Sequence, residues 1–582
     1  MSPRAEGRLV EALRTAACVL VLVAVVAVQA PGRTANDTKL DLSQDPWGLL
    51  ARAQHLWDPE GAFGQLQNQG YGYLFPMGPF HALLGEVLPA WTVQRAWWLA
   101  LLVAGYLGGR RLVDALGVRS APVAHLAGLA LALSPRAVST LGPISSEAAP
   151  LLLSPWVLLP LVHASAGRWT PRRAAAASGL AILLMGGVNA TATAAACLPA
   201  ALWLLTRTRW WRSSLTWWWV LCGALASAWW LVPLLVLGRY SPPFLDWIED
   251  AAAVTGNVEL LDVVRGTSHW LGFVVTAGGP WWDAGFGLAT EPVLVVATVV
   301  VAALGLAGLA LQVPHRGFLL LCLLVGVVAI ALPHVGPLDS PLSGAARAAL
   351  DGPLTPLRNV HKLDPLVRLP LVVGLAHLLA RVGDLPAPGR LAAAARPAVV
   401  GVAVLALLGS AAPALGGRLA SSGSWERVPP WWGETADWLA GHDERALLVP
   451  GSGFGQYVWG APLDEPLQPL ARSGPRSAVV RSAGSAHGRW SRSGPARTSS
   501  AVRTGPRSPP RTPPKARWRA ARLSVTTRPR GATPSTTSGA ITAAPGSRPV
   551  PASGTSASEA PVSTAVASTG RASTTGAAVP RS

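Results

Sequence analysis

The sequence has few charged residues and almost no lysine. Charged residues make up 13% of its 582 residues and hydrophobic residues 50%, whereas about a quarter of the residues of a soluble domain are charged. This composition excludes an ordinary soluble protein and predicts a polytopic membrane protein. Lysine occurs only at positions 39, 362 and 515, although the chain has 48 Lys+Arg. A compact ammonium differs from a planar guanidinium in reach and hydration, so Lys39 and Lys362 are candidates for specific roles.

Cysteine is equally scarce. The four cysteines, at positions 18, 197, 222 and 322, all fall in hydrophobic segments and are typical of small apolar core residues. Their placement excludes a disulfide framework and a zinc site. The sequence also lacks the glycine patterns of P-loops and of dinucleotide-binding folds.

The net charge of +19 is distributed unevenly along the chain. Residues 473–582 contain 17 basic residues and one acid, Glu559, so they carry +16, and residues 1–472 carry only +3. We therefore expect no nucleic-acid partner. The segment 473–582 consists mainly of Ser, Thr, Pro, Gly, Ala and Arg, which predicts a disordered tail. Because the change after Leu470 is abrupt, we hypothesise a frameshift near Ser473, with a genuine basic linker as the alternative.

Hydrophobic windows long enough to cross, or nearly cross, a hydrocarbon core of about 30 Å predict roughly eleven membrane spans. They lie at about 9–30, 93–108, 121–134, 148–165, 174–188, 192–206, 214–237, 292–311, 317–334, 366–381 and 398–416. The predicted fold is therefore an all-α membrane core at 9–420. Residues 421–472 contain a helical pattern and strand-like runs, which predicts the start of an extracytoplasmic domain.

Basic residues in the short loops predict the orientation of these spans in the plasma membrane. With the N-terminus in the cytoplasm, all the short arginine-rich loops fall on the cytoplasmic side. The outer side then receives 31–92, 239–291, 335–365 and everything after 416. Tryptophan pairs such as Trp97 and Trp98 fit interfacial belts.

The first predicted outer loop contains a dense cluster of charges, with Asp37, Lys39, Asp41 and Asp45 just beyond the first span. A carboxylate here could act as general base toward a sugar hydroxyl, and Lys39 could bind a lipid phosphate. The alternative is an N-capped helix at the membrane surface with solvated acids.

A second cluster precedes the tenth span, where Arg358, His361, Lys362, Asp364 and Arg368 fall within eleven residues. Such a group suits a phosphate headgroup presented from the bilayer; the alternative is interfacial anchoring by its arginines. We interpret this cluster and the first-loop cluster as two halves of one site.

Glu147, which follows Ser145 and Ser146 at a span entrance, is either a substrate-binding residue or a helix-terminal acid that satisfies free amides. The spans themselves contain few ionisable residues, which argues against an ion-coupled transporter.

Four ordered motifs carry a family resemblance. They are Asp37-Thr-Lys-Leu-Asp-Leu42, the Gly/Gln/Tyr run from Gly64 to Pro79, Gly142-Pro-Ile-Ser-Ser-Glu147 and Arg358-Asn-Val-His-Lys-Leu-Asp-Pro365. Over about residues 9–472 the chain resembles the actinobacterial α-(1→3)-arabinofuranosyltransferase family, which belongs to the GT-C class. After Leu470 the sequence departs from the family, whose members continue into a long outer region.

The resemblance implies a GT-C core that transfers arabinofuranose from a decaprenyl-phosphate donor to arabinan, branching arabinogalactan and lipoarabinomannan. Asp37 or Asp41 would be the catalytic base. Lys39, Glu147, Arg358, His361, Lys362, Asp364 and Arg368 would bind substrate. No cofactor is required, although the loop acids could coordinate a divalent cation. The alternatives are another polyprenyl-phosphate-sugar transferase, such as a mannosyltransferase, and a non-enzymatic flippase of lipid-linked sugars.

The frameshift hypothesis makes a prediction about the DNA. Translation of codons after about 473 in one of the other two frames should give a sequence with acids, leucine and aromatic residues that continues the domain begun at 421. Resequencing this region checks the result. If neither frame encodes a protein-like sequence for more than a few dozen codons, the tail is native.

Overall fold

The computed structural model describes most of the chain before residue 473. The described residues are 3–37, 39–58, 65–66, 70–241, 248–256, 258–276, 278–336, 340–384, 390–420, 423–442, 446–448, 455–472 and 480–482. Thr38 and all but three residues of the predicted tail lie outside them.

The described part of the chain is mostly helical. Its α-helices, numbered α1 to α21 in chain order, are Pro3–Ala27, Asp41–Gln44, Pro46–Ala53, Met77–Gly85, Ala90–Ala115, Ala121–Ala132, Pro135–Thr140, Ser145–Ser165, Pro171–Met185, Ala190–Leu205, Ser214–Leu237, Ala251–Thr255, Leu260–Arg265, Asp283–Thr290, Pro292–Ala310, Arg316–Ala331, Ser343–Asp351, Pro365–Asp384, Arg390–Leu415, Pro430–Ala440 and Leu467–Arg472. Short 3₁₀ helices occupy Gly70–Leu74, Trp210–Arg212, Trp270–Phe273, Thr355–Leu357 and Val360–Leu363.

Each of the eleven predicted windows falls on one helix, in order α1, α5, α6, α8, α9, α10, α11, α15, α16, α18 and α19. Among the described residues, seven helical stretches are long and apolar enough to cross a membrane. They are Glu6–Ala27, Ala121–Thr140, Ser145–Ser165, Ser214–Leu237, Pro292–Ala310, Val360–Val382 and Pro397–Leu415. Two shorter apolar helices, α10 and α16, accompany them. The prediction of an all-α membrane protein is confirmed.

Helix α8 lies at the centre of the helical core. It packs against α5, α9 and α10, and nearly all of its residues are buried. It continues through Pro150, Pro155 and Pro160, each of which removes one backbone hydrogen bond. Tight packing on several sides therefore stabilises a helix whose sequence is a poor helix former.

Gln29 joins the end of the first span to the end of the last one. Its side-chain amide donates to the carbonyl of Ala414 and accepts from the backbone N–H of Leu419 at 2.9 Å. Its own carbonyl accepts a hydrogen bond from Arg95. Gln29 is only 1% exposed, so these bonds fix the beginning of the first loop against α19.

The strands are short and pair in twos. Numbered β1 to β8, they are Trp57–Asp58, Gln65–Leu66, Val275–Thr276, Gly279–Pro280, Ala446–Leu448, Gly455–Tyr457, Gly460–Leu463 and Val480–Ser482. The pairs β1–β2, β3–β4 and β6–β7 are antiparallel, and β5–β8 is parallel. Strand β8 lies within residues 473–582, the segment for which the sequence predicts disorder.

The residues 423–472, here called the C-terminal segment, contact the first loop directly. Thr34 and Trp425 exchange two backbone hydrogen bonds, of 2.7 and 2.9 Å. The Arg33 guanidinium donates to the Ser424 hydroxyl at 3.1 Å. The predicted helix and strand of this segment are present as α20 and β5. The chain after the last span therefore returns to the loop that follows the first span.

Substitution of Gln29 by leucine should destabilise the protein, because the backbone groups of Ala414 and Leu419 lose their buried partner. We expect a loss of roughly 1–3 kcal/mol, measured as a lower apparent melting temperature in detergent. Gln54→Leu is the control, since Gln54 is exposed and its amide makes only a 3.4 Å contact within its own helix. Equal effects of the two substitutions would contradict this role of Gln29.

Candidate active site

The first loop and helix α8 meet at Asp37. The first residue of α8, Ser145, donates its backbone N–H to Asp37 Oδ1 at 2.7 Å, across a separation of 108 residues. The N-cap residue Ile144 offers no side-chain acceptor, so Asp37 satisfies a free N–H group of the helix and places a carboxylate at its positive end.

Two neighbouring tryptophans of α5 hold this junction. Trp98 Nε1 donates to Asp37 Oδ2 at 3.2 Å, and Trp97 Nε1 donates to the Ser145 hydroxyl at 2.9 Å. Both indoles are buried. The prediction that Trp97 and Trp98 form an interfacial belt is therefore wrong, because both rings point into the protein and donate to polar groups of the site.

Asp37 is buried, with 7% of its surface exposed. Burial raises the pKa of its carboxyl to about 6, although the hydrogen bonds from Ser145 and Trp98 and the charge of Arg95 oppose this rise. A carboxylate with this pKa can accept a proton near neutral pH better than an ordinary aspartate can.

Glu147, two residues after Ser145, is the centre of a second group of charges. Its carboxylate forms an ion pair with Arg136 and lies 3.6 Å from Lys362 Nζ. His269 Nε2 and His361 Nε2 lie 3.3 and 3.4 Å from Glu147 Oε1, and the two imidazole rings stack with centroids 4.0 Å apart. We call these five residues the Glu147 cluster.

The Glu147 cluster has excess positive charge, since one carboxylate faces an arginine and a lysine. Burial and the charge of Arg136 together lower the pKa of His269 to about 4, so this imidazole is neutral at neutral pH. Asn189 donates to Glu147 Oε2 at 3.2 Å. A deeply placed group of this charge is suited to bind an anion.

The same cluster contains the donor set of a cation site. The ligand atoms of Glu147, His269 and His361 lie within 4.8 Å of one another, a combination that transition metals accept. Arg136 and Lys362 already neutralise this carboxylate, so the local charge opposes a divalent cation. Among the described residues, Asp37 and Asp41 do not belong to any such group.

The structure brings only part of the predicted site together. Asp37 accepts a hydrogen bond from the first turn of α8, and Glu147 is part of that turn. His361 and Lys362 both contact the Glu147 carboxylate. The other predicted residues form ion pairs of their own, which are Lys39 with Asp464 at 3.0 Å, Asp41 with Arg52, Arg358 with Asp351 at 3.3 Å, and Arg368 with Asp364 at 2.9 Å. The charges of the last pair also act on Arg136 of the Glu147 cluster.

Lys39 and Lys362 belong to the two clusters that we interpret as halves of one site, and they have different partners. Lys39 is engaged by the C-terminal segment, whereas Lys362 is engaged by Glu147. Arg368 is buried against Asp364 and the carbonyl of Val264, which is typical of a residue that holds elements together.

The structure also adds residues that the sequence did not indicate. Arg136 lies at the start of the short helix α7, and His269 lies in the second long predicted outer loop, 239–291. Arg136 is close to a span end and His269 is inside a predicted outer loop. Only this location could have indicated from the sequence that they belong to the site.

Substitution of Glu147 by glutamine should strongly destabilise the protein, because Arg136 and Lys362 then lose their buried counter-charge. Removal of one partner from a buried pair costs roughly 3–5 kcal/mol, seen as a lower apparent melting temperature. Glu291→Gln is the control, because its pair with Arg418 is exposed and exposed pairs contribute about 0–1 kcal/mol. A Glu147→Gln protein as stable as the control variant would show that the cluster is not under this electrostatic constraint.

The family described as alpha-(1->3)-arabinofuranosyltransferase, N-terminal GT-C domain, matches residues 21–483. Alpha-(1->3)-arabinofuranosyltransferases of Mycolicibacterium smegmatis and Mycobacterium tuberculosis are 47% and 46% identical over 471 and 475 residues, which are 78% and 77% of this chain and 33% of each relative.

A solved structure agrees with these relatives. The cryo-EM structure of arabinofuranosyltransferase AftD from Mycobacteria is similar with a TM-score of 0.65 and 43% identity, over 80% of this chain and 31% of that one. The chain thus spans about one third of the length of the proteins it matches. With most of its length matched by the family, the chain belongs to the alpha-(1->3)-arabinofuranosyltransferase family and contains that family's N-terminal GT-C domain.

Proposed function

We propose that the chain transfers an arabinofuranosyl group from decaprenyl-phosphate-arabinose to a hydroxyl of arabinan, forming the α-(1→3) branches of arabinogalactan and lipoarabinomannan. Family membership supports arabinofuranosyl transfer. One observation carries the proposal for this chain: Asp37 is hydrogen-bonded to the first turn of α8, and the same turn contains Glu147.

The donor phosphate would bind beside the Glu147 cluster. Arg136 and Lys362 supply two positive charges, and only one is balanced by Glu147. A buried excess charge favours an anion because little water screens it. The lipid tail of the donor would lie between the surrounding spans, several of which expose large apolar side chains.

Asp37 is a better candidate than Asp41 for the base. Burial raises the pKa of both carboxyls, that of Asp37 to about 6. Asp41 is paired with Arg52, whereas Asp37 is held by the neutral donors Ser145 and Trp98. Asp37 already accepts hydrogen bonds from Ser145 and Trp98, and in the proposed reaction the same carboxylate accepts the proton of the sugar hydroxyl.

The proposed step is a direct displacement. The acceptor hydroxyl oxygen forms a bond to the anomeric carbon, its proton passes to Asp37, and the bond from that carbon to the phosphate oxygen breaks with its electron pair on the phosphate. Backside attack on a β-linked donor inverts the centre and gives an α product. Phosphate is a good leaving group, so this chemistry does not require a metal.

The proposal places the reaction on the extracytoplasmic side, in the orientation that the arginine-rich loops predict. The first loop and the C-terminal segment would both lie on that side, where cell-wall arabinan is accessible. The N-terminus would lie in the cytoplasm.

Substitution of Asp37 by asparagine should lower transfer about 10²–10⁴-fold, because loss of a positioned base costs this much. Purified protein is given radiolabelled polyprenyl-phosphate-arabinose and an arabinan oligosaccharide. Asp41→Asn is the matched control and should retain much more activity. Wild-type transfer should rise with pH through about 6 and then level off, because only the deprotonated carboxyl accepts a proton.

Three results would contradict the proposal. Near-normal turnover of Asp37→Asn would exclude Asp37 as the base. Preferential transfer from polyprenyl-phosphate-mannose would assign the chain to another sugar donor. Movement of the lipid-linked sugar across vesicles without any product would support a flippase.

A further inference from the structure

The chain between Glu147 and Asp246 contains no acidic residue. Residues 148–245 include seven arginines but neither aspartate nor glutamate. Six of these arginines lie at the ends of α8, α9, α10 and α11 or in the loops that join them, and they are Arg168, Arg172, Arg173, Arg207, Arg209 and Arg212. We call these six residues the arginine patch.

Contacts between helix ends place the two loops of the patch side by side. Trp203, near the end of α10, donates its Nε1 hydrogen to the hydroxyl of Ser165, the last residue of α8, at 3.0 Å. The Arg172 guanidinium lies 5.0 Å from the ring centroid of Trp218 and so joins the start of α9 to the start of α11. The patch therefore lies on one side of the helical core, where four apolar helices begin or end.

The positive charge of the patch is not balanced within the protein. Across the part of the chain that the structure describes, none of the six arginines forms an ion pair. Three of the guanidinium groups lie over tryptophan rings, 3.8–5.0 Å from the centroids. These pairs are Arg172 with Trp218, Arg173 with Trp169, and Arg207 with Trp203. An aromatic ring attracts a cation through its quadrupole but carries no negative charge, so the patch stays positive.

The neighbouring helix ends have a different balance of charge. There Arg110 of α5 forms an ion pair with Glu11 of α1, and Arg14 lies 3.8 Å from the same carboxylate. Part of the positive charge on the predicted cytoplasmic side is thus neutralised by the protein itself. The absence of acids from 148–245 leaves the arginine patch available to an external anion.

Two helices begin in the patch without the acids that usually stabilise a helix start. Helix α9 has Arg172 and Arg173 in its first turn and no acid there, and the first turn of α11 has neither an acid nor a side-chain cap. The free N–H groups of a helix start attract anions and disfavour cations. In the first turn of α11, the buried Thr216 hydroxyl also lacks a hydrogen-bond partner among the described residues. A bound anion would offset both the free donors and the repulsion.

The surface next to the patch is apolar. Only 11% of the most apolar part of α11 is buried. Trp217, Val220 and Leu221 of α11 and Leu180 of α9 have 46–60% of their surface exposed. At a rise of 1.5 Å per residue, Val220 and Leu221 lie about 10 Å from the start of α11. A ligand that matches this surface has an anionic group at one end and apolar chains at the other.

We propose that the starts of α9 and α11 bind an anionic phospholipid of the adjoining leaflet. Its phosphate headgroup lies at Arg172, Arg212 and the first turn of α11, and its acyl chains lie along the exposed face of α11. An acidic protein would also be attracted by the arginines, but it would leave the apolar residues next to them uncovered. The site lies at the opposite end of α8 from Glu147 and does not depend on the proposed transfer.

Native mass spectrometry of the purified full chain measures this binding directly. The protein in detergent is given equal amounts of phosphatidylglycerol and phosphatidylcholine with identical acyl chains. Because only phosphatidylglycerol has a net negative headgroup, wild type should retain it in about tenfold excess. Neither inorganic phosphate nor glycerophosphoglycerol, which is the same headgroup without chains, should displace the bound lipid at equal concentration.

The variant Arg172→Gln/Arg212→Gln removes two charges from the patch. Each cation beside an anionic headgroup contributes roughly fivefold to binding, so the excess of phosphatidylglycerol should fall to about twofold or less. Four arginines remain in the same loops and keep the charge that orients the helices. The matched control, Arg8→Gln/Arg119→Gln, removes two exposed arginines on the same predicted side and should keep most of the excess.

Four results would overturn the proposal. Equal retention of the two phospholipids by wild type would exclude an anionic-lipid site, whether or not the variants fold. An equal loss of preference in the control would show that only the total charge of this side matters. Displacement by inorganic phosphate or glycerophosphoglycerol would show that the acyl chains are not bound. A wild-type dimer without phosphatidylglycerol would assign this face to a second copy of the chain.

Discussion

The hydrogen bond from the Ser145 N–H to Asp37 determines how the rest of the site is arranged. A helix start inside a packed membrane protein needs acceptors for its free N–H groups, because water is not available to them. Ile144 cannot supply one, and the acceptor comes instead from the loop after the first span. The bond therefore joins two distant parts of the chain and places a buried carboxylate beside the turn that carries Glu147.

The charges near α8 divide into two environments around this bond. On the Glu147 side, Arg136 and Lys362 outnumber the carboxylate, and this excess suits a phosphate. On the other side, Asp37 is held by neutral donors, the Ser145 N–H and the Trp98 indole. The proposed transfer needs a phosphate site and a proton acceptor close together, and the first turn of α8 adjoins both groups.

Hydrophobic runs predicted the helices well, because the apolar length of a span is a local property of the sequence. The four motifs also led to Asp37, Glu147, His361 and Lys362, because charged residues beside spans are rare and can be recognised in the sequence as candidate site residues. Their partners could not be predicted in the same way. Lys39 turns to Asp464, which is 425 residues away, and neither Arg136 nor His269 belongs to a charge cluster in the sequence. Trp97 and Trp98 look like interfacial residues by composition, and only the packing of α5 against α8 shows that they donate to the site.

The contacts of Gln29 have a consequence for how the protein is made. Its partner Ala414 is 385 residues further along the chain, which corresponds to roughly 20–80 s of synthesis at about 5–20 residues per second. During this time the first helix is already in the bilayer, while the last helix and the segment that closes over the first loop do not yet exist. The nascent chain must therefore keep the first helix nearby in the lipid until α19 arrives, and the acidic loop acquires its final shape only as translation of the membrane domain ends.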